Sequence, residues 1–295
     1  MSSLSTPATG GPEPLLLLLD PAARQTDGES VRIAKDVLCG GADVKVAYPE
    51  SPSELDRVLS HRGRRRPVVI GSDLALQRVL QALYRQRELG ADPVGMVPVG
   101  RPDELLAARA LGVPVEPVPA ARAVLSGVAR KLDLLVDDGG GVALGGVRIS
   151  GSGARRVVGR TSGWRSLWAK LAAAEQGTVL GSDAAPGVGA GRAEHSARLR
   201  VEADGKLLAD VHRPVRVVQV TLPAGETPGG AAGDGVMEIV VRAPGTLVRA
   251  RAVSVSVAGR GFGYEADGHP VGPVRARTWT VHPAAWSLLL PVGHP

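Results

Sequence analysis

Pro67-Val68-Val69-Ile70-Gly71-Ser72-Asp73-Leu74-Ala75 is the stretch that decides how this chain folds. An apolar run passes straight into a Gly-Ser-Asp turn, after which Leu74, Val79, Leu80 and Leu83 recur at helical spacing. Such a run reads as a strand buried on both faces, and the change of period marks a strand–turn–helix unit. The same pattern occurs on either side of it. Upstream, residues 15–19 are five leucines closed by Asp20-Pro21, followed by a helical segment over 30–39 that Gly40-Gly41 stops. A short strand is predicted over 44–48. Ser51-Pro52-Ser53-Glu54 then supplies an N-cap Ser, Pro at the first helical position and Glu at the third, starting a helix that runs to about residue 61. Downstream, 94–97 reads as a strand and 103–111 as a helix ended by Gly112 and Pro114. Strands alternating with helices imply a parallel sheet covered on both faces. Ligands of such sheets sit at the carboxyl ends of the strands, here in loops 20–24, 71–75 and 100–103.

From about residue 131 the pattern changes to short β segments. Candidates are 147–150, 155–158, 197–203, 206–211, 215–222, 237–242, 247–257, 274–281 and 287–291, with Asp204-Gly205 as a hairpin turn. Only 162–176 reads as a helix, with Leu167, Trp168 and Leu171 on one side, and 181–193 reads as a flexible Gly/Ala/Pro loop. Many strands with one helix predict a β-sandwich. The expected division is an unstructured stretch over 1–13 without signal-peptide features, an α/β domain over 14–126 and a β-sandwich over 127–295. The last strands of the sandwich are free to return to the first domain.

Composition narrows the function. With 44% hydrophobic and 22% charged residues, the chain is neither disordered nor collagen-like. Its single Phe and 3% aromatic content mean cores of Val, Leu, Ala and Ile. No apolar run approaches the roughly 20 residues of a membrane helix. Cys39, the lone cysteine, excludes an internal disulfide and suits a cytoplasmic setting. The net charge of +6 is mostly Arg, densest at Arg62, Arg64, Arg65 and Arg66. Scattered aromatics give a nucleic-acid partner little support, since such binders pair a basic face with stacking platforms. An anionic membrane surface or a phosphorylated ligand suits the charge at least as well, and most of these arginines read as solvated surface. Residues 139–141 and 151–153 lack the Lys-Ser or Lys-Thr of a P-loop, and 187–191 lacks the strand of a dinucleotide fingerprint. The six His residues show no metal-ligand spacing. Trp164, Trp168, Trp279 and Trp286 read as packing residues.

The order of parts resembles the diacylglycerol kinase catalytic family, which includes bacterial lipid kinases. Members open with a strand ending in Asn-Pro, where this chain has Asp20-Pro21. They carry G-G-D-G-T after the third strand, where Gly71-Ser72-Asp73-Leu74-Ala75 stands. A P-x-G-T loop and an A-L-G-I-P helix end follow, matched by Pro98-Val99-Gly100-Arg101 and Ala110-Leu111-Gly112-Val113-Pro114. In the second half, Asp234-Gly235 before Met237-Glu238-Ile239 is similar to the family's D-G-x-x-D-V. Asp267-Gly268-His269 stands for its D-G-E, and the stretch from Val281-His282-Pro283 to Leu290-Pro291 for its closing V-x-P…V-P.

The resemblance implies a Rossmann-like, phosphofructokinase-like α/β domain followed by a β-sandwich. It implies ATP-dependent phosphoryl transfer, with Mg2+, to a lipid hydroxyl such as that of diacylglycerol, hence phospholipid metabolism at the inner membrane face; a homodimer stays open. Asp20, Pro21, Gly71, Ser72, Asp73, Gly100 and Arg101 would then bind the nucleotide, Asp267 and His269 would stand near the acceptor, and Asp234 would contribute to a metal site. The phosphate loops depart from the family: Leu74 and Ala75 replace Gly and Thr, Arg101 replaces Thr, and Pro102 removes an amide. Bland readings stand beside these: Asp73 as a helix N-cap, Asp267-Gly268-His269 as a hairpin turn with an exposed His, and Asp234-Gly235 as a turn. A catalytically silent lipid- or protein-binding member of the same fold is the alternative function.

Overall fold

The structure, a computed structural model, describes residues 13–150, 196–223 and 233–292. The segments expected at 155–158, 162–176 and 181–193, with Trp164 and Trp168, lie outside the described residues.

Four strands form the first sheet: β1 (Leu15–Leu19), β2 (Val44–Ala47), β3 (Arg66–Gly71) and β4 (Gly95–Pro98), all parallel in the order β2-β1-β3-β4. The leucine run explains its burial. Leu16 and Leu18 pack toward α3 (Pro52–Ser60) and α4 (Asp73–Arg85). Leu15, Leu17 and Leu19 pack toward α1 (Pro21–Thr26), α2 (Gly28–Gly41) and α6 (Pro117–Ser126). Strand alternation sends successive leucines to opposite faces, so a sheet coated on both sides needs them all. Ser51 caps α3 through Glu54 N, at 3.2 Å. The helix expected over 103–111 is instead a 3-10 turn, Pro102–Glu104, followed by the short α5 (Leu106–Ala110). Helix α6 carries Pro117 and Pro119 in its first turn, where a missing amide costs nothing.

The second half is β-rich. It comprises β5 (Val128–Asp137), β6 (Val142–Ala143), β7 (Gly146–Ser150), β8 (Leu199–Ala203), β9 (Lys206–Ala209), β10 (Val217–Thr221), β11 (Met237–Ala243), β12 (Thr246–Ala252), β13 (Ser254–Ala266) and β14 (His269–Leu290). The main path runs β12-β11-β10-β7-β13-β14-β5-β6, with β8 and β9 alongside β13. The two segments expected at 274–281 and 287–291 are one long strand, irregular between His282 and Trp286, where Ala284 takes φ 49°. The single segment expected at 247–257 splits around Val253 into β12 and β13.

Two joints tie the halves together. Val94 pairs with the end of β14, donating to the Ser287 carbonyl (2.8 Å) and accepting from Leu289 N (3.0 Å). Trp286 and Leu288 thereby share a core with α4. On the other side of α4, Gln77 Nε2 donates to Val142 O (2.6 Å) and Gln81 Nε2 to Gly140 O (3.2 Å). Three arginines of the Arg62–Arg66 cluster are absorbed structurally, while Arg64 stays exposed. Arg62 is buried and pairs with Glu88 and Asp92, Arg65 pairs with Asp43, and Arg66 with Glu13.

Candidate interdomain active site

The carboxyl ends of β1, β3 and β4 face the β13–β14 turn across a cleft of about 410 Å³. Asp20, the first residue on this rim, caps α1 through Ala22 N (3.1 Å) with Oδ1. Gly71 ends β3. A Cβ there would lie 2.7 Å from Asp20 Cβ and 3.0 Å from Ala75 Cβ, so this glycine serves the close packing of β1, β3 and α4. Ser72 occupies the N-cap position of α4, but its hydroxyl makes no capping bond.

Asp73 is the first residue of α4 rather than its cap. Its carboxylate reaches across to α5, accepting from Ala107 N (2.6 Å) and Ala108 N (2.9 Å). Burial pushes its pKa up to about 7 despite those amides, and nearby Asp267 adds to the rise. The expectation of a cap is thus met on a different helix, one whose backbone amides would otherwise be buried without acceptors.

Asp267 is the counterpart on the β side. With Gly268 it forms the β13–β14 turn, both residues in the left-handed region at φ 49° and 82°. The turn expected there is present, yet its side chains face inward. Asp267 accepts from Leu144 N (2.6 Å), Gly145 N (2.9 Å) and Gly146 N (3.1 Å), fixing the loop between β6 and β7. Burial raises its pKa to about 6. His269 is half-buried rather than exposed, and its Nδ1 is buried without a partner among the described residues. Burial lowers its pKa, with Arg78 acting in the same direction. Burial thus favours the neutral imidazole, the form a proton acceptor needs.

Gly100 and Arg101 reach the same cleft in a different condition. Glu104 Oε2 accepts from Arg101 N (2.9 Å), and its other oxygen takes the Arg101 guanidinium (3.1 Å). A Cβ on Gly100 would meet Glu104 Oε2 at 3.1 Å. A carboxylate therefore already fills the place where this loop would receive an anion, and Arg101 is turned onto its own turn. Pro21 lines a second, larger cleft of about 520 Å³ that adjoins the first along Asp20 and Ala22 and is bounded by Pro49, Ser51 and Leu55. Asp234 stands apart from these cavities, ion-paired with Arg251, while Asp133 organises the neighbouring backbone through Gly235 N (3.2 Å) and Ala284 N (2.9 Å). A metal site at Asp234 has no companions: no group of three His, Cys, Asp or Glu side chains converges among the described residues.

The residue that sequence reasoning missed is Arg78. It lies on α4 beyond Asp73, lines both clefts, and has no hydrogen bond or ion pair among the described residues. Its place on the polar side of an amphipathic helix reads as ordinary surface, and no motif marks it.

Comparison with solved structures matches this fold. A "putative diacylglycerol kinase" from Bacillus anthracis str. Sterne superposes with a TM-score of 0.71 at 14% identity, covering 98% of each chain. A second structure given the same description, and a third described as a diacylglycerol kinase from that organism, each give 0.67 at 14%, covering 96% of this chain and 98% of theirs. The chain has the diacylglycerol kinase-like fold. No known family profile matches the sequence, and no curated protein does. Within this diacylglycerol kinase-like fold the α/β half and the β-rich half stand as the sequence led us to expect. No helix among the described residues is long and apolar enough to cross a membrane.

A nucleotide suits one part of the cleft. The Asp20–Ser72–Arg78 side offers a serine hydroxyl and a guanidinium that are unbonded among the described residues, and space for base and sugar in the adjoining larger cleft. Asp20 has one oxygen unused by hydrogen bonds, and Mg2+ on a nucleotide commonly takes only one or two protein carboxylates. The Gly100–Arg101 side does not suit it, because Glu104 is in place there.

Proposed function

We propose that the protein is a diacylglycerol kinase-like lipid kinase, transferring a phosphoryl group from ATP to a lipid hydroxyl. The carrying observation is the cleft itself, where the Ser72 hydroxyl and the Arg78 guanidinium, unbonded among the described residues, face a half-buried His269 whose pKa burial lowers. Phosphoryl transfer asks mainly for positioning and charge, so these parts suffice in kind. Ser72 and Arg78 would hold the phosphates, and Asp20 would hold Mg2+. Bound there, Mg2+ would offset the charge of the phosphate oxygens. Asp73 and Asp267 do not act on substrate in this reading. With their oxygens spent on backbone amides, they fix α5 and the β6–β7 loop so that the cleft keeps its shape. His269 would take the proton of the acceptor hydroxyl as the new P–O bond forms and ADP departs.

A specific observation favours the silent alternative. The Glu104–Arg101 closure removes one of the three strand-end loops from service, which is how a lipid- or protein-binding relative that has lost ATP would look. Titration calorimetry with Mg-ATP separates the two, followed by transfer of labelled phosphate to diacylglycerol and related lipids in mixed micelles. Saturable binding and a labelled lipid support the kinase. A flat titration at millimolar nucleotide would sink it and leave the binding protein.

A further inference from the structure

Among the described residues, three cavities border α4. Besides the two clefts above, an inner pocket of about 250 Å³ lies between α4 and the β-rich half, walled by Val142, Val147, Tyr264, Val271 and Trp279. Leu74 and His269 border this pocket and the central cleft, and Gln81 borders this pocket and the larger cleft. Arg78 alone borders all three. Among the described residues it is also the arginine lining these cavities with no hydrogen bond or ion pair, because Arg101 is closed on Glu104 and Arg85 pairs with Asp56 at 2.9 Å.

The other groups facing it strengthen the assignment. Asp73 and Asp267 border the same cleft, but each has both oxygens engaged by backbone amides, and Glu104 is engaged by Arg101. That leaves Asp20 with an unused oxygen in the central cleft, with Asp103 on the Arg101 turn and Glu50 in the larger cleft, and no hydrogen bond or ion pair joins any of them to Arg78 among the described residues. A guanidinium kept out of ion pairs, in a helical position where an acid could have neutralised it, presents a planar fork suited to phosphate oxygens.

We infer that Arg78 is a phosphate-gripping residue of this chain, standing at the crossing of the three cavities and substituting for the amides lost from the strand-end loops. This deepens the kinase reading, since the crossing is where a phosphoryl group passing from the larger cleft to an acceptor in the inner pocket would lie. The phosphate grip, however, does not require transfer. A bidentate arginine contact is strong enough that its loss should weaken phosphate binding about tenfold to a hundredfold.

Pyrophosphate without metal or adenosine is the probe that isolates the grip, and Mg-ATP the probe that reads the kinase. Both are titrated against the full chain, R78A, R78K and R122A, the last being an exposed arginine on α6 outside all three cavities. The expected result is pyrophosphate binding to the wild type that falls at least tenfold in R78A, partly recovers in R78K because a point charge replaces the fork, and stays within about twofold in R122A. Circular dichroism melts of each variant check that the fold is kept. Wild-type binding unchanged in R78A, equal losses in R78A and R122A, or no pyrophosphate binding by the wild type would each overturn the assignment. Pyrophosphate binding lost in R78A, with no Mg-ATP affinity in the wild type, would keep the grip and remove the kinase. Mg-ATP binding and transfer indifferent to R78A would do the reverse.

Discussion

The loops after β3 and β4 start from adjacent strands of one parallel sheet and reach the same cleft, yet only one is open. After β3, the N-cap hydroxyl of Ser72 is unengaged and Arg78 makes no hydrogen bond or ion pair among the described residues. After β4, Glu104 accepts from Arg101 N and holds the guanidinium, so the turn satisfies itself. Their addresses are the same, and the difference lies in one carboxylate placed where it can fold back. A strand end in such a sheet is therefore only a potential anion site, and it becomes one only when no side chain of its own turn answers the amides.

Asp73 belongs to both loops, since it opens α4 and caps α5, and its removal is the harshest test. Asp73→Ala leaves two buried amides without an acceptor, and we expect about 2–4 kcal/mol lower stability by denaturant unfolding. A loss under about 1 kcal/mol would mean that the loops are not held together through this carboxylate.

Acidity tests the same residue next. Its folded-state pKa of about 7 lies above the ordinary carboxylate value of 3.8, so the folded state holds the proton more tightly. The stabilisation is full below about pH 4 and is lost as pH rises through about 7. Asp73→Asn should flatten the unfolding free energy over that window by up to about 1 kcal/mol per pH unit. A wild-type curve that rises steadily across it, unchanged by the substitution, would contradict this.

Opening the closed loop is a milder change. Glu104→Gln removes the charge that fills it and frees Arg101, so Mg-ATP or pyrophosphate affinity should increase several-fold in calorimetry. No change would show that something besides Glu104 silences this loop. The smallest effect belongs to the open one. Ser72→Ala should weaken nucleotide binding about two- to fivefold while leaving the melting curve in place, because the hydroxyl caps nothing. A clear loss of stability would give Ser72 a structural duty instead.

Much of the first half was readable because its signals are local. Five leucines can only be a strand in a sheet covered twice over, and Ser51 with Glu54 announces α3 before any partner is known. Helix α6 escaped, since two prolines in its first turn look like a loop until their position at a helix start is fixed. In the β-rich half, length was lost where one strand bends without ending, as β14 does near Ala284. The site was legible only in part. Asp267 and His269 were found through resemblance, but their burial comes from loops 144–146 and α4, far away in sequence. Arg101 misled for the complementary reason, since its partner three residues on was as visible as the arginine and only geometry showed them joined. Arg78 carries no pattern at all; three surfaces meeting at one side chain is a property of the fold.

The bridge between Val94 and Leu288 has a consequence for how the chain is made. During synthesis the open edge of β4 must wait for nearly the whole β-rich half to emerge before its partner strand arrives. Until then Val94 and Met96, buried in the finished protein, border an unpaired edge of the kind that recruits stray strands. A chain stalled or cut before residue 287 would leave that edge exposed, so the first half is sealed only by a strand from the far end of the β-rich half.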